Sequence, residues 1–209
     1  MGLILLRRAL LSLGALLCSA SLLFAELPKS DAPAPSGSLA GQLLIAAPDI
    51  GDPYFDHAVV LMVRHNRQGA LGIIVNKPIG ETPLAQILAA MGQDTTGVSG
   101  KVRIFFGGPV DPGIGLVLHS AEYHRERTLA IDGKVAMTSS PEILRDIGRN
   151  NGPAKSLVAF GYAGWGPGQL EAEMARGSWY TIPEDPKLVF DDDRAKVWKD
   201  AMARWSLPL

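Results

Sequence analysis

Histidine stands beside a hydroxyl or a carboxylate at two places in this chain, and each pairing suggests a chemistry. His119 and Ser120 could supply a base and a nucleophilic hydroxyl for acyl or group transfer. Successive residues of a strand point to opposite faces, so a direct dyad between these neighbours is geometrically poor. The expected role of His119 is a strand-end histidine satisfied by the backbone. A hydrolase or transferase would need it to work with a distant acid such as Asp52 or Glu171, and no G-x-S-x-G nucleophile turn accompanies it. Asp52, Asp56 and His57 form the second cluster. Asp56 and His57 also alternate faces, and the chain has neither H-E-x-x-H nor H-x-H spacing, so a turn and strand-entry role is expected and no metal site is assigned. His65 and His124, beside Arg64 and Arg125, are read as solvated loop or edge residues.

The stretch Gly161-Tyr-Ala-Gly-Trp-Gly-Pro-Gly-Gln-Leu-Glu-Ala-Glu-Met174 reads as an apolar strand, a glycine loop and a helix, the order used by phosphate-binding loops. Its glycines, at 161, 164, 166 and 168, match neither G-x-G-x-x-G nor G-x-x-x-x-G-K-[ST], and no basic residue lies between Gly161 and Met174. Glu171 and Glu173 in the first turns of the following helix would repel a dianion. The glycines are therefore expected to permit positive φ and close backbone approach, with Trp165 either packed in an apolar site or placed on a rim as a recognition contact. Asp191-Asp-Asp193 lacks the alternate oxygens, central glycine and distal glutamate of a calcium loop and reads as helix capping.

These residues need elements to position them. Gln42–Pro48 is a short apolar strand ended by proline, and Ala58–His65 pairs with Ala70–Asn76 across Asn66-Arg-Gln-Gly69. Thr128–Ile131 and Lys134–Thr138 flank Asp132-Gly133, which suits a two-residue type I′ turn. Further strands are expected at 102–106, 114–119, 156–160, 179–182 and 188–190. Helices are expected after Thr82-Pro83 (buried face Leu84, Ile87, Leu88, Met91), after Ser140-Pro141 (Ile143, Leu144, Ile147) and after Asp193 (Val197, Trp198, Ala201, Met202, Trp205). Tandem hairpins with scattered helices indicate an α+β class: a single compact domain with a mixed, largely antiparallel sheet and hairpins surrounded by helices.

The chain has 209 residues, and residues 1–25, with Arg7 and Arg8 before the apolar run Ala9–Phe24, have the pattern of a signal peptide. Residues 26–38, rich in Pro, Ser and Ala, form an expected flexible linker, and 39–209 the domain. An exported, periplasmic or secreted protein follows from a genuine leader, and a cytoplasmic one otherwise. Cys18 is the only cysteine and falls inside the leader, which removes disulfides and thiolate chemistry from the domain. Without the leader, 18 basic side chains face 21 acidic ones, a net charge of −3. Direct nucleic acid binding, which depends on clustered Lys and Arg, is not expected, nor is a membrane span in the mature domain.

Several ordered motifs together resemble the YqgE/AlgH family: Gln42–Pro48 with Asp52-Pro53, Gly69–Pro78, Phe105–Val110, Leu118-His-Ser120 and Gly161–Glu171. The resemblance covers nearly the whole domain from about Leu39. It implies a compact α+β domain of unassigned biochemical activity, with one branch named for a regulatory effect on alginate production and with no catalytic residues to carry over. The leader departs from the family's usual cytosolic pattern, and an exported copy could not regulate transcription by touching DNA. The function expected is a non-catalytic binding or regulatory domain without cofactor. It would engage a protein or small-molecule partner through Gly107, Gly108, Pro109, His119, Tyr162, Gly164, Trp165 and Gln169.

Overall fold

The computed structural model describes residues 37–190 and 193–206. The leader, the linker up to residue 36 and the aspartates at 191 and 192 lie outside the described residues. In chain order the elements are β1 (Gln42–Ala46), β2 (Val59–Asn66), β3 (Gly69–Ile74), β4 (Pro78–Pro83), α1 (Leu84–Ala90), β5 (Lys101–Phe106), β6 (Val110–Ser120), β7 (Thr128–Ala130), β8 (Val135–Thr138), α2 (Glu142–Gly148), β9 (Ser156–Trp165), α3 (Gln169–Ala175), β10 (Trp179–Pro183), α4 (Pro186–Phe190) and α5 (Arg194–Trp205). They form one α+β domain on a sheet of order β10-β1-β2-β3-β9-β6-β8-β7, with the antiparallel β4–β5 pair attached through β5 to β9. Every pairing is antiparallel except β5 with β9.

The central strands read as unbroken apolar runs because both of their faces are covered. Leu43, Ile45, Leu61, Ile73, Leu116, Leu118 and Leu157 point to one side, where Leu188, Val197 and Ala201 of the two C-terminal helices join them. On the other side, Leu44, Val60, Met62 and Ile74 pack with Trp165, Leu170 and Trp179. Farther along that face, Val117 and Val158 pack with Leu84, Leu88, Ile143 and Leu144 of α1 and α2. Among the described residues no helix is long and apolar enough to cross a membrane.

Several sequence expectations are corrected. Leu188–Phe190 belongs to α4, not to a strand, because the preceding Pro186 starts a turn capped by Asp185, whose Oδ1 accepts from Lys187 N at 2.8 Å. β4 has no apolar alternation to announce it; its residues are exposed and it is held by pairing with β5. The Asn66–Gly69 hairpin forms as expected. The Asp132-Gly133 turn is not type I′, since Gly133 is outside the left-handed region. Asp132 instead turns the chain with its side chain, Oδ1 accepting from Lys134 N at 2.7 Å and Val135 N at 2.8 Å. Neither Thr82 nor Ser140 caps a helix: Pro83 and Pro141 occupy the N-cap positions and no side-chain cap bond is made. At α5, Asp193 pairs with Lys196 at 2.6 Å in place of a cap bond.

β10 and β7 are the two ends of the sheet path, yet Glu184, just after β10, lies 3.7 Å from Lys134 Nζ in the β7–β8 loop. The sheet therefore curls until its ends meet. Glu184 is 6% exposed, and burial, followed by the Asp132 carboxylate beside it, pushes its pKa up to about 7. The unfolded chain releases this proton near 4.5, so the cost of the buried charge is absent below that pH and grows as pH rises through about 7. Glu184→Gln is expected to be more stable than the parent at pH 8 by roughly 1–3 kcal/mol and to match it near pH 4.5 in urea unfolding. Parallel profiles for the two proteins would refute this.

Candidate functional site

Three loops distant in sequence meet at one end of β2 and β3. The first, residues 52–57, begins with Asp52, whose Oδ1 accepts from Tyr54 N at 2.9 Å. The second is Asn76-Lys77-Pro78. Asn76 ties it to the first loop and to the start of β2: Nδ2 donates to the His57 carbonyl at 2.8 Å and Oδ1 accepts from Val59 N at 2.9 Å. Lys77 Nζ donates to the Tyr54 carbonyl at 3.0 Å, and burial lowers its pKa, with Asp56 and Asp52 opposing the shift. The third is Phe106–Pro109. Phe106 N donates to the Lys77 carbonyl and Ile74 N to the Gly107 carbonyl, both at 2.9 Å. The Tyr54 ring, 55% exposed, stacks on Phe106 with centroids 5.8 Å apart. His57 sits at φ 52°, a left-handed angle uncommon for a side chain with a Cβ, and its Nδ1 lies 2.6 Å from Asp56 Oδ1. Its ring meets Trp198 edge-on at 4.3 Å.

Beneath this surface lies a buried aromatic floor. Phe55 stacks on Trp165 at 6.2 Å and meets Trp179 edge-on at 5.2 Å. Both indoles donate to one oxygen of Glu173, Trp165 Nε1 at 2.9 Å and Trp179 Nε1 at 2.8 Å, while Gln169 Nε2 donates to the other at 2.9 Å. Gln169 Oε1 in turn accepts from Gly166 N at 3.0 Å. Trp165 is 5% exposed, so its role here is that of an anchor and not a rim contact. The glycine stretch is mostly strand: Gly161–Trp165 completes β9, pairing with β3 through Ala70↔Trp165 and Leu71↔Gly164, and only Gly166-Pro167-Gly168 turns into α3.

Gly107 and Gly108 are buried against Gly161 and Tyr162, Pro109 is half-buried, and Gly164 is exposed beside the Tyr162 ring. Tyr162 donates its hydroxyl to Asp111 at 3.1 Å. His119 lies apart from this group on the α1–α2 side, 0% exposed, with Nδ1 donating to the Ser120 carbonyl at 3.0 Å and Nε2 accepting from Thr138 at 2.9 Å. Burial lowers its pKa, in keeping with a neutral ring. The acids considered as its partners lie elsewhere: Glu171 accepts from His65 Nε2 at 2.9 Å. His65 is itself corrected, since it is 6% exposed, not solvated, and its Nδ1 accepts from Leu39 N at 3.1 Å. Among the described residues no three His, Cys, Asp or Glu side chains are grouped to hold a metal ion.

Sequence reasoning missed Tyr54, Phe55, Lys77 and Glu173. The two aromatics directly after Asp52-Pro53 were the available signal, because large rings in a polar turn need a reason to be there. Glu173 gave none, since a helix-surface glutamate looks the same whether or not two tryptophans reach it.

Comparison with known proteins places these features in a family. The model of the AlgH-like family matches residues 43–209. A UPF0301 protein of Rhodospirillum rubrum is 39% identical over 168 residues, covering 80% of this chain and 88% of the relative. A UPF0301 protein of Jannaschia sp. is 44% identical over 166 residues, covering 78% and 86%. The solution structure of the AlgH protein from Pseudomonas aeruginosa superposes with a TM-score of 0.70 at 37% identity, over 86% of this chain and 94% of that one. A crystal structure of a Corynebacterium diphtheriae protein shares the fold, with a TM-score of 0.62 at 21% identity over 86% and 91% of the two chains.

Glu173 accepts from three N–H donors that a carboxamide could serve only in part. Glu173→Gln is expected to destabilise the domain by about 1–3 kcal/mol and to change the tryptophan emission, measured by urea unfolding followed by fluorescence. An unchanged midpoint would contradict the anchoring role.

Proposed function

This chain belongs to the AlgH-like family, and from the surface its loops build we propose that it is a binding or regulatory domain without catalysis. One observation carries the reading: loops from residues 52–57, 76–78 and 106–109 converge on one face around the exposed Tyr54, stacked on the half-buried Phe106. Backbone hydrogen bonds fix these loops from three sides, and a rigid aromatic with little entropy left to lose is an efficient contact for a protein or small-molecule partner. Trp165, Tyr162, Gly164 and Gln169 act from beneath or beside this face, and His119 serves the fold. A hydrolase or transferase built on His119 is not adopted, because both its ring nitrogens are engaged and no part of it meets solvent.

We further propose that residues 1–25 direct export, so that any regulatory effect proceeds without DNA contact; the acidic balance of the chain supports the second part. A photo-crosslinking residue placed at Tyr54 is expected to give discrete adducts that Phe106→Ala removes. The same residue at exposed Leu129, on β7, should give none, and equal labelling from both positions would overturn the surface. Sequencing the mature protein from fractionated cells should find a chain starting after the leader, outside the cytoplasm. An intact Met1 in the cytoplasm would overturn export.

A further inference from the structure

Of the asparagines in this chain, Asn66, Asn76, Asn150 and Asn151, only Asn151 is followed by glycine. It stands where α2 gives way to the loop before β9, and the way that helix ends sets it apart from its neighbour. Arg149 N donates to the Arg145 carbonyl at 3.0 Å, Asn150 N to the Ile147 carbonyl at 3.1 Å and Asn151 N to the Asp146 carbonyl at 2.8 Å. Asn150 takes the left-handed angle that closes the helix, φ 59°, a conformation asparagine tolerates. The chain then leaves through Gly152-Pro153.

Packing dictates the glycine. A Cβ on residue 152 would lie 2.7 Å from Ile147 Cγ1 and 2.8 Å from Ile147 Cα, so the end of α2 admits no side chain there. Nothing comparable dictates the asparagine: residue 151 is exposed and its side chain makes no hydrogen bond among the described residues. The Gly152 amide likewise has no acceptor among the described residues. A carboxamide free to rotate therefore precedes an amide nitrogen that no hydrogen bond engages and no Cβ shields. The other asparagines lack this combination. Asn76 is bonded through Nδ2 and Oδ1 to the 57–59 backbone, and Asn66 Oδ1 accepts from Gln68 N at 2.8 Å. Asn150 is followed by the very amide that donates to Asp146.

We propose that Asn151 is a site of self-modification, at which the backbone nitrogen of Gly152 displaces the side-chain amide and leaves aspartate or isoaspartate. The Gly152 nitrogen gives its proton to a base in solvent and bonds to Asn151 Cγ. The Cγ–Nδ2 bond breaks, and the side-chain nitrogen takes up a proton and departs as ammonia. Water then opens the cyclic imide at either carbonyl, with no change of oxidation state. Opening at the main-chain carbonyl routes the chain through the side chain and adds one atom to the backbone between α2 and Gly152. That insertion pushes Gly152 off Ile147 or stretches the bond to Asp146. Either product also places a carboxylate at the C-terminal end of α2, where unpaired carbonyls already carry partial negative charge.

Peptide mass spectrometry of the full chain, aged in mildly alkaline buffer, tests the proposal, with isoaspartyl methyltransferase labelling as a second readout. A gain of about one dalton and methyl acceptance are expected at residue 151, and neither at residues 66, 76 or 150. Because no hydrogen bond must break first, the folded chain is expected to react within about tenfold of a peptide of residues 146–156. Asn151→Gln should abolish methyl acceptance with the thermal midpoint preserved, and the aged parent should lose amide protection at residues 146–152 relative to this variant. An Asn151 that stays intact in the folded chain while the peptide reacts, or equal reaction at Asn150, would overturn the proposal.

Discussion

The molecule depends on one place where two backbones cross without side chains between them. Gly107 and Gly108, leaving β5, lie against Gly161 and Tyr162 in the middle of β9, so closely that a Cβ on Gly108 would overlap the Tyr162 carbonyl and one on Gly107 the Gly161 carbonyl. Gly161 itself adopts φ 73° and faces the Gly108 carbonyl. This bend lets a single strand belong to two sheets' worth of partners: before it, β9 runs parallel to β5 and antiparallel to β6, and after it antiparallel to β3. Only glycine combines the left-handed angle with that approach.

The consequence reaches the surface. Because Gly107 donates its amide to the Phe160 carbonyl and accepts from Ile74, it fixes the exit of β5 beside the exit of β3. Phe106 is thereby set under Tyr54, and Asn76 and Lys77 within reach of the 52–57 loop. The second half of β9 carries Trp165 to the underside of the same loop, where Phe55 rests on it and Glu173 holds it with Trp179. Acidic side chains thus serve this domain chiefly as acceptors for fixed donors: Glu173 for two indoles, Glu171 for His65, Asp146 for Tyr123 and Arg125. Glu184 is the exception, buried where the ends of the curled sheet meet and better accommodated with its proton.

Local physics was legible in the sequence wherever it was also decisive. The apolar runs of β1, β2 and β3 and the Asn66–Gly69 hairpin follow from period, length and turn chemistry, and the apolar stripes of α1, α2 and α5 from helical spacing. β4 was not legible, because exposed Pro78, Gly80 and Glu81 are held by β5 alone. The glycine stretch was legible in part: the positive φ and close backbone approach expected of it are found at Gly161, but the strand runs on through Trp165 where a loop was expected, and which segment passes close is a property of the partner and not of the stretch. The candidate surface was legible as separate motifs and not as a surface, since nothing local says that residues 52, 77 and 106 meet.

Hydrogen–deuterium exchange on Gly108→Ala addresses the central claim, that the glycine crossing holds the converging loops together. The predicted result is faster exchange at amides of residues 52–57, 74–78 and 161–165 in concert, with the α1–α2 half retaining its protection. A change confined to residues 106–110, with the other loops as protected as before, would contradict the account.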